Sequence, residues 1–242
     1  MNTPCPLDNI RIVLSHTSHP GNIGAAARAM KTMGLHALYL INPRSFPAPE
    51  AEARAANAVD ILQQAKVCSE LNEALKNTIL TAAITARPRD LSHDTFDARQ
   101  GAMELVQLAQ QQQPVALLFG PENSGLTTAE INKCQIIIHI PANPHYSSLN
   151  LASAVQIMTY ELRMALTGNI PPSPTKGELV DFNELELLYA HLEQLMVTSG
   201  FLDPQKPKLL MQRIRRLFAR ARLEKEEAQI LRGILTALGK RW

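Results

Sequence analysis

Three short blocks hold the side chains with which this chain is equipped to do chemistry. Pro20–Gly34 (PGNIGAAARAMKTMG) carries Asn22 and Arg28, Leu117–Leu126 (LLFGPENSGL) carries Glu122, and Ile140–Ala154 (IPANPHYSSLNLASA) carries Ser147, Ser148 and Asn150. Small and backbone-permissive residues let a chain approach a ligand closely, while the guanidinium, carboxylate, carboxamides and hydroxyls offer hydrogen bonds. Each block follows an apolar, strand-like run. Three such places suggest one site assembled from several loops around a polar ligand.

Each group also has a plain structural use. Arg28 fits an exposed helix arginine, Asn22 a cap just ahead of that helix, and Glu122 a solvated turn carboxylate. Ser147, Ser148 and Asn150 precede another helix, where capping accounts for at least one of them. Spacing argues against other chemistries. Gly21-x-x-Gly24 is not a dinucleotide-binding glycine pattern, and no Asp or Glu follows the second strand to hold a ribose. His16 and His19 have ligand-like spacing but no third partner, and Cys5, Cys68 and Cys134 form no Cys-x-x-Cys pair. No metal is therefore expected.

Positioning these groups falls to alternating elements. The pattern predicts strands at Ile10–Leu14, Leu38–Ile41, Ile79–Thr85, Val115–Phe119 and Ile136–Ile140. It predicts helices at Gly24–Met33, Glu50–Gln64, Arg99–Gln113, Thr127–Cys134 and Ser148–Leu166. Gly34 stops the first, Thr127-x-x-Glu130 opens the fourth as a capping box, and Leu151, Val155, Met158 and Leu162 form a stripe on the last. This alternation implies an α/β fold, a mostly parallel sheet with helices on both faces. Ligands bind such sheets beyond the carboxyl ends of the strands. The three blocks and the segment Thr85–Arg89 all follow strands, so they are expected on one rim.

Thr167–Gly177 (TGNIPPSPTKG) reads as a linker, because its proline pair cannot continue a helix. That gives a first domain over 1–166, a linker over 167–177 and a small α-helical extension over 178–242. Asp181-x-x-Glu184 opens a helix there, with Leu185, Tyr189, Leu192 and Met196 on one face and Gly200 at its end. Two more are expected at Pro207–Arg222 and Glu226–Leu238. The chain's net charge is only +2, yet Lys206, Lys208, Arg213, Arg215, Arg216, Arg220 and Arg222 follow one another without an acid. Arg213, Arg216 and Arg220 fall on one helical face, with Leu210, Ile214, Leu217 and Ala221 expected on the core side. A local cationic face on a balanced chain points to an anionic partner, nucleic acid before a membrane surface. No apolar run approaches membrane-spanning length, the start has no signal-peptide pattern, and the cysteine usage fits a reducing cytoplasm.

In order and spacing, N-x-G-x-x-x-R (Asn22, Gly24, Arg28), FGxExxGL (Phe119, Gly120, Glu122, Gly125, Leu126) and IP…SLN (Ile140, Pro141, Ser148, Leu149, Asn150) resemble the SPOUT superfamily of RNA methyltransferases, in its SpoU-like 2′-O-ribose branch. This likeness covers Ile10–Leu166. The strings ARAMKTMGL (Ala27–Leu35), ANPxYSSLNLAxAVQ (Ala142–Gln156) and LRGIL (Leu231–Leu235) resemble its TrmJ type and extend the likeness through nearly the whole chain. That type methylates the ribose of cytidine or uridine at position 32, the first nucleotide of the tRNA anticodon loop.

The resemblance implies a C-terminal trefoil knot in the sheet, a homodimer, tRNA as partner and S-adenosylmethionine as methyl donor. It puts cofactor contacts on Ile84, Thr85, Ala86, Gly120, Ile140, Ser147, Ser148 and Leu149. It makes Arg28 the catalytic base, with Ser148, Asn22, Glu122 and Asn150 around it. A guanidinium stays protonated at neutral pH. Arg28 is therefore expected to stabilise a developing alkoxide or clamp a phosphate, while the proton leaves through Ser148, a phosphate oxygen or water. The expected RNA contacts are Arg87, Arg89, Tyr146, Arg213, Arg216 and Arg220. A ribosomal RNA methyltransferase of the same fold and an inactive RNA-binding module are the alternatives.

Overall fold

The computed structural model describes residues 5–86, 94–168 and 177–240. It divides into two compact units, Met1–Ser173 and Pro174–Trp242.

The described strands of the first unit are β1 (Ile10–Ser15), β2 (Ala37–Ile41), β3 (Lys66–Cys68), β4 (Leu80–Ile84), β5 (Asp94–Asp97), β6 (Val115–Phe119) and β7 (Ile136–His139). They form one sheet in the order β3-β2-β1-β6-β4-β7-β5, and every neighbouring pair is parallel. All of Val115–Phe119 is buried, as are Ile12, Val13 and Leu14. Buried runs without alternation mean that both faces of the central strands are covered. The chain travels from β1 outward to β2 and β3, then crosses to β4 on the other side, and β6 later inserts between the halves. Phe119 ends level with both Leu14 of β1 and Ile84 of β4. The carboxyl ends on either side of this crossover therefore open on a common rim.

The connecting helices are α1 (Pro20–Met33), α2 (Pro49–Ala55), α3 (Val59–Gln63), α4 (Leu71–Leu75), α5 (Ala98–Gln110), α6 (Thr128–Ile131) and α7 (Leu151–Thr167). Four of them correct the sequence expectations. α1 begins at Pro20 rather than Gly24, because proline's fixed φ suits the first helical position. Asn22 thus lies inside the helix, not ahead of it as a cap. The expected helix over Glu50–Gln64 is broken into α2, a 3₁₀ turn at Ala56–Ala58 and α3, with Ala56 at φ 50°. α7 starts at Leu151, three residues later than expected, since Asn150 caps it by accepting from Ala152 N at 2.9 Å. Ser147 and Ser148 are thereby left in the loop. The edge strands β3 and β5 and the helix α4 had no counterpart in the sequence reading; they are three to five residues long and too short to show a period.

The second unit holds α8 (Phe182–Thr198), α9 (Leu210–Ala221) and α10 (Lys225–Gly239). Val180, Leu185, Leu188, Tyr189, Leu223 and Ala228 form its core, against which Met211, Ile214, Phe218, Leu231 and Leu235 pack. The core side of α9 is therefore Met211, Ile214 and Phe218, and Leu217, expected inside, is 53% exposed. Arg215 explains the rotation. Its guanidinium is paired with both carboxylate oxygens of Glu186 and stacks 4.3 Å from the Tyr189 ring centre. A satisfied arginine thus takes a core-side position and turns Leu217 outward.

Candidate active site

β6, β4 and β7 are adjacent and parallel, so the loops that leave their carboxyl ends converge. Between them lies a cavity of about 220 Å³. Ile84, Thr85, Ala86, Gly120, Ile140, Ser147, Ser148 and Leu149 all line it. These are the eight residues to which the resemblance assigns cofactor contact, drawn from three loops far apart in sequence. The loop after β6 folds back on itself tightly. A Cβ on Gly120 would lie 2.3 Å from Leu126 N and 2.5 Å from the Gly125 carbonyl carbon, so only glycine permits the turn. Gly125 itself has φ 67°.

Glu122 stands on this loop and clasps it to the start of α1. One carboxylate oxygen accepts from Ser18 N at 3.0 Å and Ser18 Oγ at 2.7 Å; the other accepts from Asn22 Nδ2 at 2.7 Å. His19 N adds a longer bond at 3.4 Å. The carboxylate so takes over the capping of α1, whose own N-cap residue, His19, provides no side-chain bond. Burial by itself pushes the Glu122 carboxyl up, but the donors from Asn22 and Ser18 outweigh it and hold the group at about 2. Glu122 is accordingly a fixed anion at neutral pH and unsuited to proton transfer there. Asn150 completes the chain of contacts by donating to Asn22 Oδ1 at 3.0 Å. Asn22, Glu122 and Asn150, one from each block, form a single hydrogen-bonded network.

Arg28 is not part of this lining. It projects from α1 as an exposed residue, and its backbone oxygen accepts from Thr32 Oγ1 at 2.8 Å. Ser148 and the 79%-exposed Tyr146 stand on the loop between β7 and α7, and Ser148 lines the cavity. In the second unit Arg213 and Arg220 are exposed, whereas Arg216 is half-buried. Arg87 and Arg89 lie outside the described residues. The sequence reading missed Ser18, which gives Glu122 two of its donors. Its one signal was its place just ahead of a helix, where backbone N–H groups lack partners. Among the described residues no group of three or more His, Cys, Asp or Glu side chains is placed to hold a metal, and no helix is long and apolar enough to cross a membrane.

The chain is similar to known proteins. Residues 9–160 match the SpoU rRNA Methylase family, and residues 183–242 match the C-terminal domain of the tRNA methyltransferase TrmJ. The chain is 48% identical to the tRNA (cytidine/uridine/adenosine-2′-O-)-methyltransferase TrmJ of Pseudomonas aeruginosa, over 97% of this chain and 95% of that one. It is 46% identical to the tRNA (cytidine/uridine-2′-O-)-methyltransferase TrmJ of Cronobacter sakazakii, over 96% of each. Among solved structures it is similar to TrmJ from Z. mobilis ZM4, with a TM-score of 0.84 and 32% identity over 95% of this chain and 98% of that one.

Proposed function

The chain belongs to the SpoU rRNA methylase family, and on that premise we propose that it methylates the ribose 2′-oxygen of cytidine or uridine at position 32 of the tRNA anticodon loop, with S-adenosylmethionine as donor. The observation that carries this reading is the convergence of the eight expected cofactor residues on one cavity. The C-terminal match and the substrates in the relatives' names favour tRNA over ribosomal RNA. The knot, the homodimer and a cytoplasmic location belong to the same proposal.

The lining suits the donor. Ile84, Leu126, Ile140 and Leu149 offer apolar edges to a nucleoside and a thioether chain, and the loop backbone offers polar groups. The tight turn at Gly120 keeps that backbone close, since no Cβ fits there. When bound, the donor supplies an electrophilic methyl group. The protein's task is to align a poor hydroxyl nucleophile with it and to favour the charge that develops on oxygen. Ser148 lines the cavity, and in this reading it takes or relays the hydroxyl proton. Arg28 supplies a permanent positive charge for the alkoxide or the neighbouring phosphate, reaching the RNA from the exposed side of α1. Asn22 and Asn150 hold the loops through Glu122. Arg213, Arg216 and Arg220, with Tyr146, grip the RNA.

Incubating the protein with tRNA and S-adenosylmethionine, then mapping ribose methylation by mass spectrometry, tests the reading. A 2′-O-methyl group at position 32 is expected. Methylation confined to ribosomal RNA, or donor binding without any transfer, would replace it with one of the two alternatives.

A further inference from the structure

A second cavity, of about 530 Å³, opens on the same rim beyond β1, β2 and β3. Pro121 and Ser124 line both cavities, so a single turn separates them. His16, Asn42, Asn72, Thr127, Glu130 and Lys133 set polar groups into a lining whose exposed surface is mostly apolar. Glu130 is held in place: its oxygens accept from Ser15 Oγ, from Thr127 N at 2.7 Å and from Thr127 Oγ1 at 2.7 Å, and His16 Nδ1 lies 4.0 Å away. Burial disfavours its charge, but these donors prevail and lower its pKa, so the wall is anionic. Glu70 adds a second carboxylate against the one ammonium of Lys133. Such a cavity repels phosphate and suits a neutral group rich in hydrogen-bonding edges.

Two carboxamides set its polarity. Asn42 donates through Nδ2 to Ser69 O at 2.8 Å, so the rest of its amide is an acceptor oxygen. Asn72 accepts at Oδ1 from Lys133 Nζ at 2.8 Å, which leaves its amide nitrogen as a donor. His16 and Asn42 end β1 and β2 in left-handed backbone, at φ 49° and 42°. Asparagine and histidine are among the residues that tolerate that conformation best.

We propose that this second cavity receives the base of the nucleotide whose ribose is methylated, and that Asn42 and Asn72 read its Watson–Crick edge. This rests on the methylation proposed above. With the base on one side of the Pro121–Ser124 turn, its sugar faces the cavity on the other. Cytosine presents an amino donor beside a ring acceptor, and uracil presents a carbonyl acceptor beside a ring N–H. Asn42 offers an acceptor and Asn72 a donor, which match the cytosine amino group and ring nitrogen or, with the base shifted by one position, the uracil ring N–H and carbonyl. The pair thus accepts either pyrimidine, and both bases need the Asn72 donor. Extrusion of the base is least costly in a single-stranded loop.

Asn72→Asp tests this directly, because a carboxylate keeps the bond from Lys133 but cannot donate to either base. Two tRNA transcripts that differ only by C or U at the methylated position serve as substrates, and cytidine and uridine 5′-monophosphate serve as NMR probes of the His16 imidazole protons. The variant is expected to lower kcat/KM about 10-fold on both transcripts, as for one base-edge contact, while donor affinity by calorimetry stays unchanged. Both nucleotides should shift the His16 resonances of the wild type. An unchanged kcat/KM on both transcripts, or His16 resonances indifferent to both nucleotides, overturns the inference. If the wild type methylates neither transcript, the methylation reading falls alone, and the nucleotide titration still decides whether the cavity takes a base.

Discussion

Replacing Glu122 with glutamine should unfasten the clasp between the β6 loop and α1. In the wild type the carboxylate accepts from Ser18 N, Ser18 Oγ and Asn22 Nδ2 at 2.7–3.0 Å. Glutamine keeps one acceptor oxygen and turns an NH₂ group toward donors that it cannot satisfy. The strength of the clasp follows from the depressed acidity. A fall from the ordinary 4.5 to about 2 has a ceiling of about 3 kcal/mol at 1.36 kcal/mol per pH unit. The group is partly open to solvent, which screens the interaction and reduces the figure to about 1–2 kcal/mol. The folded value lies below the unfolded one, so this stability is complete above about pH 4.5 and is lost as pH falls from there toward 2. Glu122→Gln should therefore be about 1–2 kcal/mol less stable than the wild type at pH 7, and the gap should close by pH 2–3. Urea unfolding across that range measures the gap, and hydrogen exchange at the Ser18 and His19 amides localises it. A difference between the two proteins that stays constant from pH 7 to pH 2 would refute the clasp, since Glu73, Glu130 and Asp60 titrate alike in both.

Arg28→Ala should lower single-turnover methylation by about 10²-fold or more with donor affinity unchanged, as for loss of a preorganised charge; near-normal transfer would remove Arg28 from the chemistry. Gly120→Ala should abolish donor binding in calorimetry, because the added carbon falls 2.3 Å from Leu126 N and the turn must open. Gly24→Ala places a carbon 1.9 Å from Ala51 O, backbone against backbone, and should cost about 1–3 kcal/mol or more in thermal unfolding as α1 and α2 separate. Neutralising Arg213, Arg216 and Arg220 should weaken tRNA binding and flatten its dependence on salt by up to about three charges in the slope. Exposed Arg213 and Arg220 should account for most of that change, and half-buried Arg216 for least.

Much of the rim was legible in the sequence for simple reasons. Continuous apolar runs such as Val115–Phe119 mark strands buried on both faces, and polar blocks at their ends mark ligand loops. The capping box at Thr127 and the stop at Gly34 are local devices that act within a few residues, so their meaning survives without the fold. Tertiary structure decided what long-range contacts decide. Glu122 reaches Ser18 and Asn22 across about a hundred residues, and only the placement of β6 beside β1 makes that possible. The same pairing turned Asn22 from an expected cap into a link between Glu122 and Asn150. In the second unit the pairing of Arg215 with Glu186 and Tyr189 turned Leu217 to the surface, a choice that helical period alone cannot make. Sequence fixes which groups are available and which local turns they favour; the packing of distant strands and helices fixes which of those groups meet, because hydrogen bonds and buried contacts act only at a few ångströms.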